Sequence, residues 1–233
     1  MKQFDRTILA LGEDQFSSLT KANVLVVGVG GVGGYVAEFL VRTGIQNITI
    51  VDFDVIDETN LNRQIIALNN NIGNVKVEEL KQRLININKN LNIVAINQKV
   101  NKDNIDSLIT SQKFDYIIDA IDSKIDKADL IAKAKEKNIP IISSMGAGNR
   151  VGIPQFEITD IFKTQYDGLA KVMRKLLRER KVKSLDVCVC KQPSIKTTGK
   201  IGSVVYFPAC AAAVICGYVI DKLKTLWIIV WMY

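Results

Sequence analysis

The sequence predicts an α/β chain: a doubly wound, mostly parallel sheet with helices on both faces, extended by a C-terminal strand and helix region. Three observations carry this. Short apolar runs alternate with stretches of helical periodicity, as strands joined by crossover helices do. The run NVLVVG (23–28) leads straight into a glycine-rich turn and an apolar helix. A chain of 233 residues, 48% hydrophobic and 24% charged, suffices to fill one good core.

The elements follow in order. Residues 4–20 read as an amphipathic helix or helix pair, broken near Gly12. NVLVVG is a buried strand, and Gly31 to Arg42 a helix opening on the glycine turn. NITIVDFD (47–54) is a second strand ending in two acids; its sequon has no meaning in a cytoplasmic strand. After a polar loop (55–73), a helix of about 74–87 places Val77, Leu80, Leu84 and Ile87 on one face. Segments 92–97, 115–122 and 139–144 are further strands, separated by helices at 103–111 and 123–137. Beyond Gly152 the pattern changes to a strand (PQFEITDI), a helix at 167–183 and a strand (SLDVCVC). The stripe Leu169, Val172, Met173, Leu176 and Leu177 is the expected core face of that helix. A Lys/Gly/Pro-containing loop (191–202) precedes an uncharged run, 203–220, that is near the length of a membrane span. Its small residues, Pro and Gly suit a core helix at least as well. Burial is the preferred reading, because a parallel sheet needs cover on that face.

Composition removes several function classes. The N-terminus, MKQFDRTILALGEDQ, lacks the apolar run of a signal peptide. Four cysteines with no C-x-x-C pair fit a reduced cytoplasmic setting rather than a disulfide framework or zinc ribbon. There is no histidine, hence no imidazole base, His-ligated metal or His-activated nucleophile. A net charge of +7 permits a nucleic-acid partner and equally fits a Lys- and Asn-rich composition.

The motif Gly28-x-Gly30-x-x-Gly33 is by itself a dinucleotide fingerprint, with Asp52 near the distance of a ribose-binding acid. The glycines alone therefore suggest an NAD-dependent oxidoreductase on a Rossmann-like fold. The segment DFDVIDETNLNRQ (52–64) and Lys76 argue against it. A dinucleotide site neutralises its phosphates mainly with helix N-terminal amides. Here a second acid, Asp54, is followed by Asn60, Arg63, Gln64 and Lys76. Two long cations suit a triphosphate attacked at its α-phosphate, where they stabilise developing phosphoryl charge and departing pyrophosphate. The acids are also suited to the Mg²⁺ that accompanies ATP. Ligands of such sheets sit beyond the carboxyl ends of the strands, so the ends at Gly28, Asp52 and Asp119–Asp122 are expected to converge.

GVGGVG, DFD, NLNRQ, Lys76 and DAIDS together resemble the ubiquitin-activating-enzyme-like (E1-like) adenylyltransferases over about residues 4–160. SSMGAGNR (143–150), the segment 167–187 and GKIGSVVYFPACAAAVICGYVI are similar to the tRNA threonylcarbamoyladenosine dehydratase branch of that superfamily. Its members activate the carboxylate of the threonylcarbamoyl group on adenosine 37 and let it cyclise. The chain lacks the two C-x-x-C pairs that bind zinc in the sulfur-carrier branch.

The resemblance implies a role for each matching residue. Gly28, Gly30 and Gly31 let backbone approach the nucleotide; Asp52 holds ribose hydroxyls; Asp54 and Asn60, with Gln64, order the loop and phosphates. Arg63 and Lys76 clamp the triphosphate, and Asp122 positions Mg²⁺ or the reacting phosphate. Asp119 is either a further nucleotide contact or a helix cap. Arg6 matches an arginine inserted across a dimer interface into the partner's site, the alternative being a surface charge. ATP and Mg²⁺ are the implied cofactors; a monovalent cation is compatible, and zinc is not expected. The implied partners are tRNA bearing threonylcarbamoyladenosine and a second copy of the chain, with no DNA.

Two features add to this from the residues themselves. Lys171, Arg174, Lys175 and Arg178 recur at helical spacing opposite the apolar stripe, and Glu179 is the one acid between Lys171 and Lys183. They form either a row of RNA phosphate contacts or a solvated face. Cys188, Cys190, Cys210 and Cys216 are read as structural, since attack within the substrate needs no enzyme nucleophile. The whole is a single domain: a nucleotide-binding core (1–150), a substrate-binding and dimerisation extension (151–224) and an apolar tail, TLWIIVWMY (225–233). The tail fits an interface, a less favoured membrane contact or an atypical terminus. The runner-up function, on the same fold, adenylates the C-terminal glycine of a ubiquitin-like sulfur carrier.

Overall fold

The computed structural model describes residues 2–195, 199 and 201–230, the side chains of 224–230 excepted. Helices α1 (Asp5–Leu11) and α2 (Glu13–Lys21) flank Gly12, whose φ of 85° breaks the helix where the sequence suggests a break. The core then runs β1 (Asn23–Val27), α3 (Gly33–Thr43), β2 (Asn47–Asp52), α4 (Lys76–Ile87), β3 (Asn92–Asn97), α5 (Ile105–Thr110), β4 (Tyr116–Asp119), α6 (Lys124–Glu136) and β5 (Ile141–Ser144). The extension adds β6 (Phe156–Asp160), α7 (Gly168–Glu179), β7 (Asp186–Cys190) and α8 (Tyr206–Val230).

All seven strands join one sheet in the order β3-β2-β1-β4-β5-β7-β6. Every pairing is parallel except that of β6 with β7. The order reverses between β1 and β4, so the connections leaving their carboxyl ends turn to opposite faces and open a crevice there. Strand β1 shows why the sheet is covered twice. Val24 and Val26 pack with α2, α3, α4 and α8 residues, while Leu25 and Val27 pack with those of α5, α6 and α7.

Helix α8 is long and apolar enough to cross a membrane by length and composition, over Tyr206–Leu223. In the fold half of that window is buried. Phe207, Ala211, Ile215, Val219 and Leu223 form a face with no exposure, against the sheet and α3. Its start is pinned on β7 by the Cys188 thiol, 3.7 Å from the Ala211 carbonyl, and its middle by Tyr218, which donates to Asp186 at 2.6 Å. The backbone of α8 continues into the apolar tail to Val230; the tail's side chains and residues 231–233 lie outside the described residues.

One core assignment is corrected. Val172 is 38% exposed and leaves the α7 stripe, of which Met173 and Leu177 are fully buried; Ala170, outside the stripe as read, is fully buried as well. The buried face is centred on Ala170, Met173 and Leu177, which turns Val172 to its solvent margin.

Candidate active site

The crevice at the strand-order reversal has a volume of about 510 Å³. Its floor is the glycine turn. Gly28 has φ 86°, and a Cβ there would sit 2.7 Å from the Ala120 carbonyl oxygen. A Cβ on Gly33 would overlap the Gly28 carbonyl. Only glycine lets this turn lie against the exit of β4, which brings Gly28, Gly30 and Gly31 to the surface of the crevice. The Asp52 carboxylate, at the end of β2, takes the Val29 amide at 2.8 Å and the Asp54 amide at 2.9 Å. Each oxygen keeps acceptor capacity toward the crevice.

The polar loop supplies the cations. The Lys76 ammonium, with its side chain 6% exposed, lies 2.9 Å from Asp54. The Lys76 amide also donates to the Asp54 carbonyl at 3.0 Å, so the first turn of α4 is fixed to the end of β2. Asn60 acts on the loop: its Oδ1 accepts the Asp57 amide at 3.1 Å while Asp57 caps the turn through the Thr59 amide at 2.8 Å. One turn on, the Arg63 Nη1 donates to the Thr59 carbonyl at 2.6 Å and to Asn62 Oδ1 at 3.0 Å. Gln64 is 8% exposed, and its Oε1 is buried with no hydrogen-bond partner, at the crevice wall beside Gly30. Such an acceptor is satisfied by a ligand group or by an ordered water.

Asp122 lines the crevice together with Ser123 and Asp126. Asp119 does not. It is fully buried in an ion pair with Lys127 at 3.0 Å and also accepts from Ser143 Oγ at 2.7 Å and the Ile121 amide at 3.1 Å. Lys127 donates in addition to the Ile121 carbonyl at 2.9 Å. Asp119 is therefore neither a nucleotide contact nor a helix cap: it shapes the chain between β4 and Asp122. Lys127 was missed, though its position offered a signal. It shares a helix face with Leu130, Ile131 and Ala134, where a lysine has to find an anion. Gln98, Lys99 and the half-exposed Phe53 also line the crevice and were missed; Lys99 lies 5.7 Å from the Phe53 ring centroid. Phe53 lies inside DFD, where only the two acids carry a readable role, and Gln98 and Lys99 follow β3 without a motif.

Arg6, exposed on α1, does not line the crevice of its own chain. On α7, Lys171, Lys175 and Arg178 are exposed, whereas Arg174 is half-buried and donates to the Thr164 carbonyl at 3.1 Å. Arg178 lies over the Phe162 ring at 5.2 Å, in an open depression that Lys163 and Lys183 also line. Cys188 and Cys190 lie on β7, buried, and Cys216 is buried in α8. Burial pushes the Cys188 thiol up and the Cys216 thiol to about 12, so neither is a thiolate at neutral pH.

Among the described residues no cluster of three or more metal-ligating side chains occurs. Mg²⁺ keeps most of its waters and takes one or two carboxylates plus substrate phosphates. Asp122 and Asp126 are available for this, since neither pairs with a cation among the described residues. The arrangement combines a backbone cradle, the cations Arg63, Lys76 and Lys99, and the carboxylates of Asp122 and Asp126 in one crevice. It is equipped to bind a nucleoside triphosphate and to stabilise charge in phosphoryl or nucleotidyl transfer.

Comparison with known proteins agrees. The ThiF family matches residues 4–223. The tRNA threonylcarbamoyladenosine dehydratase of Bacillus subtilis is 39% identical over 183 residues, 78% of this chain and 72% of that protein. The enzyme of the same name from Escherichia coli is 39% identical over 177 residues, 76% of this chain and 66% of that one. The solved structure of E. coli tRNA N6-threonylcarbamoyladenosine dehydratase in complex with ATP superposes with a TM-score of 0.90 at 32% identity, covering 96% of this chain and 94% of that chain.

Proposed function

The chain belongs to the ThiF family, and from that premise we propose that it is an ATP-dependent tRNA threonylcarbamoyladenosine dehydratase. The observation that carries this reading is the convergence of Arg63, Lys76 and Asp122 on a crevice floored by the glycine turn, in a chain similar along most of its length to enzymes of that name. ATP, held with Mg²⁺ at Asp122, fits the site better than NAD, which has no need of the two cations.

The reaction runs in two steps. The side-chain carboxylate of threonylcarbamoyladenosine attacks the α-phosphorus of ATP; a carboxyl O–P bond forms, the bond to the β-phosphate breaks, and pyrophosphate leaves. Arg63 and Lys76 stabilise the negative charge on the phosphoryl oxygens and on pyrophosphate. A nitrogen of the neighbouring ureido group then attacks the activated carbonyl. A C–N bond forms, the C–O bond to AMP breaks, and the nitrogen's proton passes to solvent. One carboxylate oxygen leaves on AMP, so the nucleoside loses the elements of water. No enzyme nucleophile takes part, and the sequence holds no histidine to serve as base. Proximity within the substrate makes the second step effectively unimolecular.

RNA docks along the exposed cations of α7, with Arg178 over Phe162 and Lys163 and Lys183 beside it extending the face. The enzyme works in the cytoplasm as a homodimer, with Arg6 completing the partner's site.

The test is to incubate the protein with ATP, Mg²⁺ and tRNA bearing threonylcarbamoyladenosine, then digest and weigh the nucleosides. The modified nucleoside is expected to lose about 18 Da through ring closure. NAD in place of ATP gives no change, and Lys76→Ala and Asp122→Ala leave the mass unaltered while still binding tRNA. Untouched tRNA, with adenylation of a small protein ending in Gly-Gly instead, would hand the function to sulfur-carrier activation.

A further inference from the structure

We propose that Asn62 is a positioning residue: its amide aims Arg63 at the nucleotide and ties that aim to the strap Gly202–Ser203 ahead of α8. This rests on the function proposed above. The two hydrogens of Arg63 Nη1 go to the Thr59 carbonyl at 2.6 Å and to Asn62 Oδ1 at 3.0 Å, which leaves the Nη2 and Nε hydrogens for phosphate oxygens. An asparagine amide presents an acceptor on one side and a donor on the other. Asn62 Nδ2 donates to the Ser203 carbonyl at 3.0 Å, across 141 residues of chain. That carbonyl fixes which way round the amide sits. Turned over, the amide would set its own NH₂ against the guanidinium, donor against donor.

The strap is itself held. The Asn149 amide donates to the Gly202 carbonyl at 2.7 Å, and Gly202 returns its amide to Asn149 Oδ1 at 2.6 Å. Asn149 adopts φ 54°, in the left-handed region where asparagine is tolerated. Next to it Arg150 is buried against Asp167 at 2.9 Å, and Asp167 caps α7 through the Ala170 amide at 2.8 Å. A chain of contacts thus runs from the start of the basic helix, through Asn149 and Ser203, to Asn62 and the cation that faces ATP. SSMGAGNR and NLNRQ, far apart in sequence, meet through it.

The experiment is a double-mutant cycle on the full-length enzyme, with kcat read from cyclised nucleoside and ATP affinity from calorimetry. N62A is expected to lower kcat about 10- to 50-fold with ATP affinity within about threefold, because misaim costs the transition state more than the ground state. In the R63A background N62A should cost less than about twofold, since a residue acting through Arg63 has nothing left to act on. N62D, which keeps an acceptor for Arg63, should fall between N62A and the wild type. The proposal is overturned if N62A turns over tRNA like the wild type, if its loss carries over in full to R63A, or if N62D is no better than N62A. An inactive wild type would instead overturn the dehydratase reading.

Discussion

A buried charge pair governs the exit of β4. Asp119 and Lys127 have no solvent exposure, and their hydrogen bonds to Ser143, the Ile121 amide and the Ile121 carbonyl leave no charge uncompensated. Lys127→Ala strands the carboxylate and is expected to cost about 3–5 kcal/mol in denaturant unfolding. A loss below about 1 kcal/mol would mean that Asp119 finds other partners or water. This pair also shows what a linear sequence conceals. Asp52, Asp54, Arg63 and Lys76 were legible because motif spacing places them, and all line one crevice. Asp119 sits in the same kind of acidic strand end as Asp122, yet it faces α6 and not the crevice. A shift of three residues at a strand end decides between core and site. The nearness of Phe53 and Lys99 was illegible for a related reason: it follows from the pairing of β2 with β3, which no local pattern records.

At the scale of elements, the positions of helices and strands were legible wherever periodicity was strong, whereas the strand order came only with the fold, and α7 shows a further limit. Its polar face reads from sequence as four equivalent cations, but the helix gives them different work. Arg174 turns inward to the Thr164 carbonyl, while Lys171, Lys175 and Arg178 remain exposed over about 10 Å of helix. Testing RNA docking therefore means reversing the three exposed charges and leaving Arg174 alone, because its loss would disturb packing as well as charge. Lys171→Glu/Lys175→Glu/Arg178→Glu is expected to weaken tRNA binding at least about 100-fold at low salt and to flatten its salt dependence by about two to three phosphate contacts. ATP affinity, read by calorimetry, stays at the wild-type value. Unchanged tRNA binding would make this a solvated face. Helix α8 is the converse case: its composition fits a membrane span, and what separates the two readings is a partner surface, supplied by α3 and the sheet. Glu38 adds a pH-dependent tie between α3 and α4. Burial raises its pKa, but the guanidinium groups of Arg83 and Arg42 outweigh this and hold the carboxyl below its ordinary value. Its contribution is thus fully present above the ordinary glutamate range of about 4.3 and lost as pH falls through the lower folded value. Glu38→Gln is expected to cost about 1–2 kcal/mol at neutral pH, with a difference from wild type that shrinks on acidification.

The whole molecule sets one question that no single element answers. The crevice draws its residues from both sides of the strand-order reversal, and Arg6 stands outside it on α1. On the reading proposed above, Arg6 acts on another copy of the chain. Two variants, each expected to be inactive alone, make the test. Arg6→Ala keeps its own Lys76, and Lys76→Ala keeps its own Arg6. In a mixed dimer, the site that retains Lys76 receives Arg6 from the partner and is complete, while the other site lacks both groups. Random assortment gives mixed dimers half the population and each one working site, so activity is expected to return to about a quarter of wild type in a two-fold symmetric dimer. Arg6 acting on its own crevice predicts the reverse: each subunit of the mixed dimer then lacks one essential group, and mixing restores nothing. An Arg6→Ala enzyme as active as wild type would make Arg6 an ordinary surface charge. The measurement needs subunits that exchange, so the variants are mixed during refolding or coexpression, and analytical ultracentrifugation on the same samples reports the state of association.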